Sequence, residues 1–406
     1  MGWIEPEEQL RILERISEEI IPVEEFLAKA KKAAAENRPL RIKYGMDPTA
    51  PDIHLGNGIA LHKLAVFQDL GHLPVIIVGD YTARVGDPSE RNKTRPVLTG
   101  EAIDENAKTY FEQVGRIIDL DRAEVRRNGE WFEGMALADV VRLAARATVA
   151  RMIERDDFAK RLAEGTPIGV HELLYPIMQA WDSVMVRADV EIGGTDQKFN
   201  FLAAREFQRA EGQEPQVIMT HPLLVGLDGG KKMSKSLGNY IGITDPAEQI
   251  FGKAMSLPDE LMATYFLWAT DVSEEETEVL LDPARTHPRE AKEALARAIV
   301  TRYHPAESAD RAAAEFRKVF SEKKAPEAMP DVVLTAADLA DGGIWIVALV
   351  VKAGFASSNG EARRLVTQGA VSIAGEKITD PEAKVTPETG QILKVGKRRF
   401  GRLVVE

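Results

Sequence analysis

Apolar residues recur at helical spacing through residues 7–37, where Leu10, Leu13, Ile16, Ile20, Phe26 and Leu27 share one side. The spacing predicts an amphipathic helix, which Pro22 divides in two. The pattern changes at residue 40. Leu40-Arg41-Ile42-Lys43-Tyr44-Gly45 reads as a strand, a Pro-rich turn follows, and a helix is expected from about 54 to 70. Gly71-His72-Leu73-Pro74 closes that helix, and Val75-Ile76-Ile77-Val78-Gly79-Asp80 is a short continuous apolar strand. Strand, helix and strand at this spacing form a right-handed crossover and require a parallel sheet. Residues 100–185 are expected to be mainly helical, with apolar periodicity over 102–118 and 137–158. Val190-Glu191-Ile192 is another short strand, Gly193-Gly194 leads into a helix over 197–211, and a strand at 216–220 runs toward a lysine-rich loop. The expectation is an open α/β domain with a helical insertion. Ligands of such sheets sit beyond the carboxyl ends of the strands.

The rest of the chain is organised differently. Residues 241–325 read as helical and charged, and 326–341 as a linker. The segment 342–406 has ten Lys and Arg against six Asp and Glu, a net charge of +4 within a chain of −12. A basic module on an acidic body points to nucleic acid, with contact confined to that patch. The 406 residues, 44% hydrophobic and 29% charged, suit a globular protein of several domains. With no cysteine, thiolate catalysis, disulfides and Cys-ligated zinc are excluded. No apolar run approaches 18 residues and the first ten residues are acidic, so neither a membrane span nor a signal peptide is expected and the location is read as cytoplasmic.

Two segments carry candidate chemistry. In Gly229-Gly230-Lys231-Lys232-Met233-Ser234-Lys235-Ser236-Leu237-Gly238, lysines between glycines can close on a polyphosphate and neutralise developing charge. By itself such a run is more often a solvated surface loop. Far upstream, His54 and Asn57 share one face at a helix start, with Gly56 between them. A helix N-terminus favours an anion, and Gly56 lets a nucleotide approach the backbone. An isolated His-x-x-Asn is as readily a plain helix entry. The G-x-G-x-x-G and P-loop fingerprints are absent, so phosphate binding would fall to the helix start and the lysines. Tyr175, Gln179 and Asp182 recur at four and three residues, a polar stripe on one helix face that suits either a ligand or solvent.

The segment 47–57 resembles the HIGH region of class I aminoacyl-tRNA synthetases, and Lys232 to Ser236 is a letter-perfect KMSKS motif. The Asp47-Pro48-Thr49-Ala50 lead-in, Gly86-Asp87-Pro88-Ser89, the Tyr175-Gln179-Asp182 stripe and Gly193-Gly194-Thr195-Asp196-Gln197 are similar to bacterial tyrosyl-tRNA synthetases. The resemblance implies a Rossmann-like catalytic domain over 1–240 with a dimer-forming insertion at about 120–165, and an anticodon-recognition helical domain over 241–325. It implies activation of L-tyrosine by ATP and transfer to tRNA(Tyr), in a homodimer. By the same likeness Asp182 would accept the phenol hydrogen bond, and Asp87, Tyr175 and Gln179 would hold the α-ammonium group. Gly194, Asp196 and Gln197 would contact the ribose and the substrate carboxylate. Asp47, His54, Gly56 and Asn57 would bind ATP, and Lys232 and Lys235 would clamp the pyrophosphate. Mg²⁺ is expected with ATP, without a dedicated metal site of its own.

The pattern bends at two positions. Asn57 stands where HIGH ends in histidine, so a neutral contact replaces a cationic one. Lys43 stands where the family often has a tyrosine against the phenol, so either another residue completes that site or Tyr44 moves in. The tail resembles an S4 RNA-binding domain over 342–406, with Ser358 as an expected N-cap. Arg363 and Arg364, with Lys397, Arg398 and Arg399, would meet RNA phosphate. The tryptophan branch shares the sheet and both motifs; the Asp182 stripe and the S4-like tail favour tyrosine.

Overall fold

A computed structural model of the chain describes residues 3–48, 52–87, 100–320, 329–339, 342–396 and 399–406. It divides into two compact units, Met1–Ala309 and Asp310–Glu406.

The first unit is built on a six-stranded sheet of order β1-β6-β5-β2-β3-β4. The strands are β1 (Glu19–Ile21), β2 (Arg41–Met46), β3 (Leu73–Val78), β4 (Glu124–Arg127), β5 (Val190–Gly194) and β6 (Val217–His221). All neighbours run parallel except β1, which pairs antiparallel with β6. The expected crossover is present as β2, helix α3 (Leu55–Asp69) and β3; α1 (Pro6–Glu14) and α2 (Val23–Glu36) precede it. Helix α3 buries Leu55, Ile59, Ala60, Leu61, Leu64 and Phe67 around its circumference, which explains why its start carries the site while its body carries only core. The insertion follows as α4 (Gly100–Val114), α5 (Gly129–Phe132), α6 (Leu137–Ala144), α7 (Val149–Met152) and α8 (Asp156–Ala163). Helices α9 (Val170–Met185) and α10 (Lys198–Ala210) then flank β5.

Both edge strands depart from the expectation. The helix foreseen across 7–37 is interrupted by β1, where Glu19-Ile20-Ile21 pairs with residues 218–220. The mainly helical stretch 100–185 contains β4, whose Glu-Val-Arg-Arg sequence holds no apolar run. An edge strand is half exposed and tolerates charge, so it lacks the hydrophobic signal of a central strand. The periodicity over 137–158 is divided among α6, α7 and α8 rather than carried by one helix.

Residues 241–309 belong to the same compact unit as the sheet. Their helices are α11 (Ala247–Ala254), α12 (Met262–Ala269), α13 (Glu274–Leu281) and α14 (Pro288–Tyr303), with α15 (Ala306–Phe320) crossing the division. The expected division at 241 is therefore not a break in packing. Tyr265 donates to the Val225 carbonyl at 2.6 Å, and His304 bonds the Asp245 carbonyl at 2.8 Å.

The second unit holds α16 (Ile346–Lys352) and α17 (Asn359–Thr367) with strands β7 (Asp331–Leu334), β8 (Ile344–Trp345), β9 (Val371–Ile373), β10 (Glu376–Ile378), β11 (Lys384–Val385), β12 (Ile392–Val395) and β13 (Arg399–Val405). Its main sheet has the order β10-β9-β12-β13-β7. Strand β7 lies within 326–341, the stretch expected to be a linker; its alternating Val332 and Leu334 enter the core, and two prolines nearby had masked that pattern.

Gly79 follows β3 at a point where a Cβ would collide with the Asp47 carboxylate and the Thr82 hydroxyl. Gly45, in β2, has nothing within 4 Å of the equivalent point. Gly79→Ala is therefore expected to cost ~1–3 kcal/mol of stability in urea unfolding, while Gly45→Ala leaves the midpoint nearly unchanged. Equal midpoints for the two variants would contradict this packing.

Candidate active site

The carboxyl ends of β2, β3, β5 and β6 open on a cavity of about 240 Å³. Asp47, His54, Gly56, Asn57, Asp87, Tyr175, Gln179, Asp182, Gly194, Asp196, Gln197, Lys232 and Lys235 all line it. Residues separated by up to 188 positions in the chain are thus brought to one crevice.

The two signature segments lie side by side through main-chain bonds. Leu55 N–H donates to the Ile241 carbonyl at 3.0 Å and Ile243 N–H to the Ile53 carbonyl at 2.9 Å. His54 caps α3 in extended conformation, its side chain making no cap bond. Its Nδ1 is buried without a partner. Burial, with Lys235 and Lys232 nearby, pushes its pKa down to about 3. The ring is therefore neutral and acts as a hydrogen-bonding group rather than a cation.

The lysine loop is more anchored than its glycines suggest. Met233, between the two key lysines, is 1% exposed, and its N–H donates to the Leu224 carbonyl at 2.7 Å. Asn239 accepts from Ser234 N–H at 2.8 Å and donates to Asp228 at 3.1 Å. Lys232 pairs with Asp196 at 2.7 Å. Lys235 lies 3.3 Å from the Tyr110 hydroxyl and 5.2 Å from the ring centroid.

The other end of the cavity is a chain of polar contacts. Tyr175 donates to Asp47 Oδ2 at 3.0 Å and Thr82 to Asp47 Oδ1 at 2.8 Å. Asn128 bridges the Thr82 hydroxyl, at 3.0 Å, and Asp182 Oδ2, at 3.3 Å. Trp131 Nε1 donates to Asp182 Oδ1 at 2.9 Å. Asp47, grouped with ATP by the sequence, is thus bonded to Tyr175 of the stripe. Asp87 accepts from Arg155 at 3.1 Å and from Gln197 at 2.8 Å. Gln179 Oε1 accepts from Asn200 at 2.8 Å. Burial pushes the Asp182 carboxyl up to about 7, against the opposing pull of Lys43 and of its two donors.

Tyr44 does not move in beside Asp182. Adjacent strand residues face opposite sides of the sheet. Lys43 points toward α9, donating to Ser183 at 2.7 Å, while Tyr44 bonds Asn57 at the start of α3 and burial pushes its pKa up to about 12. Thr82, Tyr110, Asn128, Trp131 and Asn200 carry no signal in the sequence that marks them as site residues. Each is hydrogen-bonded to at least one residue lining the cavity, and a single polar or aromatic residue leaves no periodic or spacing signal.

In the second unit Ser358 caps α17 by accepting from Glu361 N–H. Arg363 stacks 5.0 Å over Trp345 and pairs with Glu382. Arg364 is exposed. Arg399 bonds the Phe355 carbonyl and reaches Glu361 at 4.0 Å. Lys397 and Arg398 lie outside the described residues. Among the described residues no cluster of His, Asp and Glu is arranged to hold a metal, and no helix is long and apolar enough to cross a membrane.

Residues 35–321 match the family of class I tRNA synthetases (W and Y), and the fold is that of this class. Residues 323–401 match the tyrosine--tRNA ligase SYY-like C-terminal domain. The chain is 50% identical to a tyrosine--tRNA ligase of Moorella thermoacetica, covering 99% of this chain and 98% of the relative. It is also 50% identical to one of Thermotoga maritima, over 98% of each. A crystal structure of the Archaeoglobus fulgidus tyrosyl-tRNA synthetase complexed with L-tyrosine aligns with a TM-score of 0.61 at 26% identity, covering 76% of this chain and 99% of that one. The chain belongs to the tyrosyl-tRNA synthetase family.

The raised Asp182 pKa has a definite sign in stability. The folded state holds this proton up to about pH 7 whereas the unfolded chain releases it near pH 4. The group therefore opposes folding increasingly as pH rises through that window. Asp182→Asn is expected to stabilise the protein at pH 8 relative to its effect at pH 4 in urea unfolding. An effect independent of pH would contradict the shift.

Proposed function

We propose that this cavity binds L-tyrosine and ATP together and joins them before the amino acid passes to tRNA. As a member of its family the chain is a tyrosine--tRNA ligase with ATP as a substrate. The observation that carries the site reading is the convergence of His54, Lys232 and Lys235 with the enclosed Asp182 in one cavity.

In this reading the tyrosine carboxylate attacks the α-phosphorus of ATP. The new P–O bond forms as the bond to the bridging oxygen breaks, and pyrophosphate leaves. A terminal ribose hydroxyl of tRNA(Tyr) then attacks the acyl carbon and AMP departs, the hydroxyl proton passing to solvent. Holding two anions in line is the main task, and charge stabilisation the second. Lys232 and Lys235 serve the leaving pyrophosphate, and neutral His54 donates one hydrogen bond at the phosphate end with Gly56 leaving room beside it. Asn57, Asp196 and Gly194 face the ribose. Mg²⁺ enters on the phosphates as part of the substrate. Asp87, Tyr175, Gln179 and Gln197 surround the amino-acid head group.

Asp182 selects the side chain. With phenylalanine the buried carboxylate would keep no partner for its remaining lone pairs, a large penalty; tyrosyl-tRNA synthetase is itself the known example of rejection by about 10⁵. The arginines of the second unit, Arg363, Arg364 and Arg399, are read as phosphate contacts for tRNA, and from the sequence alone so are Lys397 and Arg398. The protein is read as cytoplasmic, where its substrates are found.

A homodimer is part of the proposal. Leu137, Val141, Val149, Leu162 and Val170 are 79%, 59%, 64%, 58% and 77% exposed, all within or beside the insertion. Such a concentration of exposed aliphatic side chains is the mark of a protein interface.

Pyrophosphate exchange into ATP is expected with tyrosine and with no other amino acid; exchange with tryptophan, or none, would overturn the reading. Lys235→Ala is expected to lower the turnover of activation by about 10²-fold or more with little change in tyrosine affinity. The double variant Leu137→Asp/Val149→Asp is expected to sediment as a monomer, and an unchanged dimer would place the interface elsewhere.

A further inference from the structure

Lys43 and Glu191 sit directly opposite each other on the neighbouring parallel strands β2 and β5. Their side chains are 0% and 1% exposed, with Nζ 2.8 Å from Glu191 Oε1. Lys43 also donates to the Gln179 carbonyl at 3.0 Å and to the Ser183 hydroxyl at 2.7 Å. Its three N–H donors are all used. Ser183 in turn donates to Glu191 Oε2 at 3.1 Å, and the Gln216 amide donates to the same oxygen. The network ties β2, β5 and the residue before β6 to α9 at Gln179 and Ser183, the two positions that flank Asp182.

Stability alone does not account for such a pair. Desolvating two charges offsets most of their attraction, and apolar residues of similar volume commonly serve as well. Apolar residues would not supply a fixed positive charge beneath α9, nor a donor to the Gln179 carbonyl. Both act next to Asp182, read as selecting the phenol, and Gln179, read as facing the amino-acid head group.

We propose that the Lys43–Glu191 pair is a positioning device for amino-acid selection, locking α9 so that Asp182 and Gln179 face the cavity and setting the field in which the Asp182 carboxylate meets a phenol hydroxyl. The proposal rests on reading Asp182 as the phenol acceptor. The groups facing Asp182 are few. Lys43 from β2 favours its ionised form, Glu191 from β5 opposes it, and Asn128 and Trp131 are neutral donors. The other cavity carboxylates are held elsewhere, Asp47 by Tyr175 and Thr82 and Asp87 by Arg155 and Gln197. The influence of Lys43 exceeds that of Glu191, so removing both charges and removing only the glutamate have opposite effects.

The test is kcat/KM for tyrosine in pyrophosphate exchange, measured between pH 5.5 and 8.5 in the full chain, with phenylalanine as competitor. Lys43→Met/Glu191→Gln keeps volume and leaves acceptors for Ser183 and Gln216. It is expected to move the acid limb of the profile upward by about one pH unit, a roughly tenfold loss at pH 6, and to narrow the preference over phenylalanine. KM for ATP and the melting temperature should change little. Glu191→Gln alone keeps the ammonium and should move the limb downward; if the double variant does not fold, this direction decides. Two profiles coinciding with the wild type, or shifted in the same direction, would overturn the proposal. Asp182→Asn separates the two levels. If it leaves the preference for tyrosine intact, the phenol reading fails and this proposal with it. If it abolishes the preference while both network variants keep the wild-type limb, the positioning role of Lys43 alone fails.

Discussion

A carboxylate shut away from water at the end of a sheet is the constraint around which this site is organised. Asp182 is 4% exposed, and a buried charge is tolerated only with donors and a counter-charge at hand. Trp131 and Asn128 come from the insertion, Lys43 from a central strand, and Thr82 secures Asn128 from the turn after β3. Three separate pieces of chain must therefore be in place before the carboxylate can be enclosed. The same pieces shape the Asp182 end of the cavity, so folding and the form of the cavity draw on one set of contacts. The raised pKa records how nearly balanced the enclosure is.

What could be read from the chain follows from how each feature is encoded. Short β-rich segments bounded by turn signals, with β3 a continuous apolar run, made β2, β3, β5 and β6 legible to within one or two residues. The edge strands β1 and β4 were not, because half-exposed strands carry charge and look like helix or loop. The cavity's lining was legible where residues form spaced motifs: the helix start at His54, the stripe from Tyr175 to Asp182, and the lysine loop. Its supports were not. Lys43 read only as a departure from a pattern, and nothing local told that Glu191, distant in sequence, lies opposite it. Asn128 and Trp131 are single residues whose roles exist only once α5 is folded against α9.

The lysine loop shows how composition can overstate freedom. Glycines at its ends suggested a loose flap. Yet the motif's methionine is part of the core, and the amide of Asn239 pins the backbone on both sides of it. The lysine side chains extend toward the cavity from this anchored segment, one to Asp196 and one over Tyr110. Movement in such a segment is a matter of side-chain reach about a fixed pivot more than of backbone disorder.

The sheet of the second unit places β13 between β12 and β7, and the β7 pairing is parallel, joining Asp331–Leu334 to residues near the end of the sequence. Leu403 and Val332 face each other in that register, both buried. A segment that enters the unit first is thus completed by one that arrives some seventy residues later. Closing so long a loop costs entropy before any contact rewards it. The basic helix α17 consequently has no stable platform until the whole unit has condensed. Its two arginines, Arg363 and Arg364, therefore take up their places on the helix only with that closure.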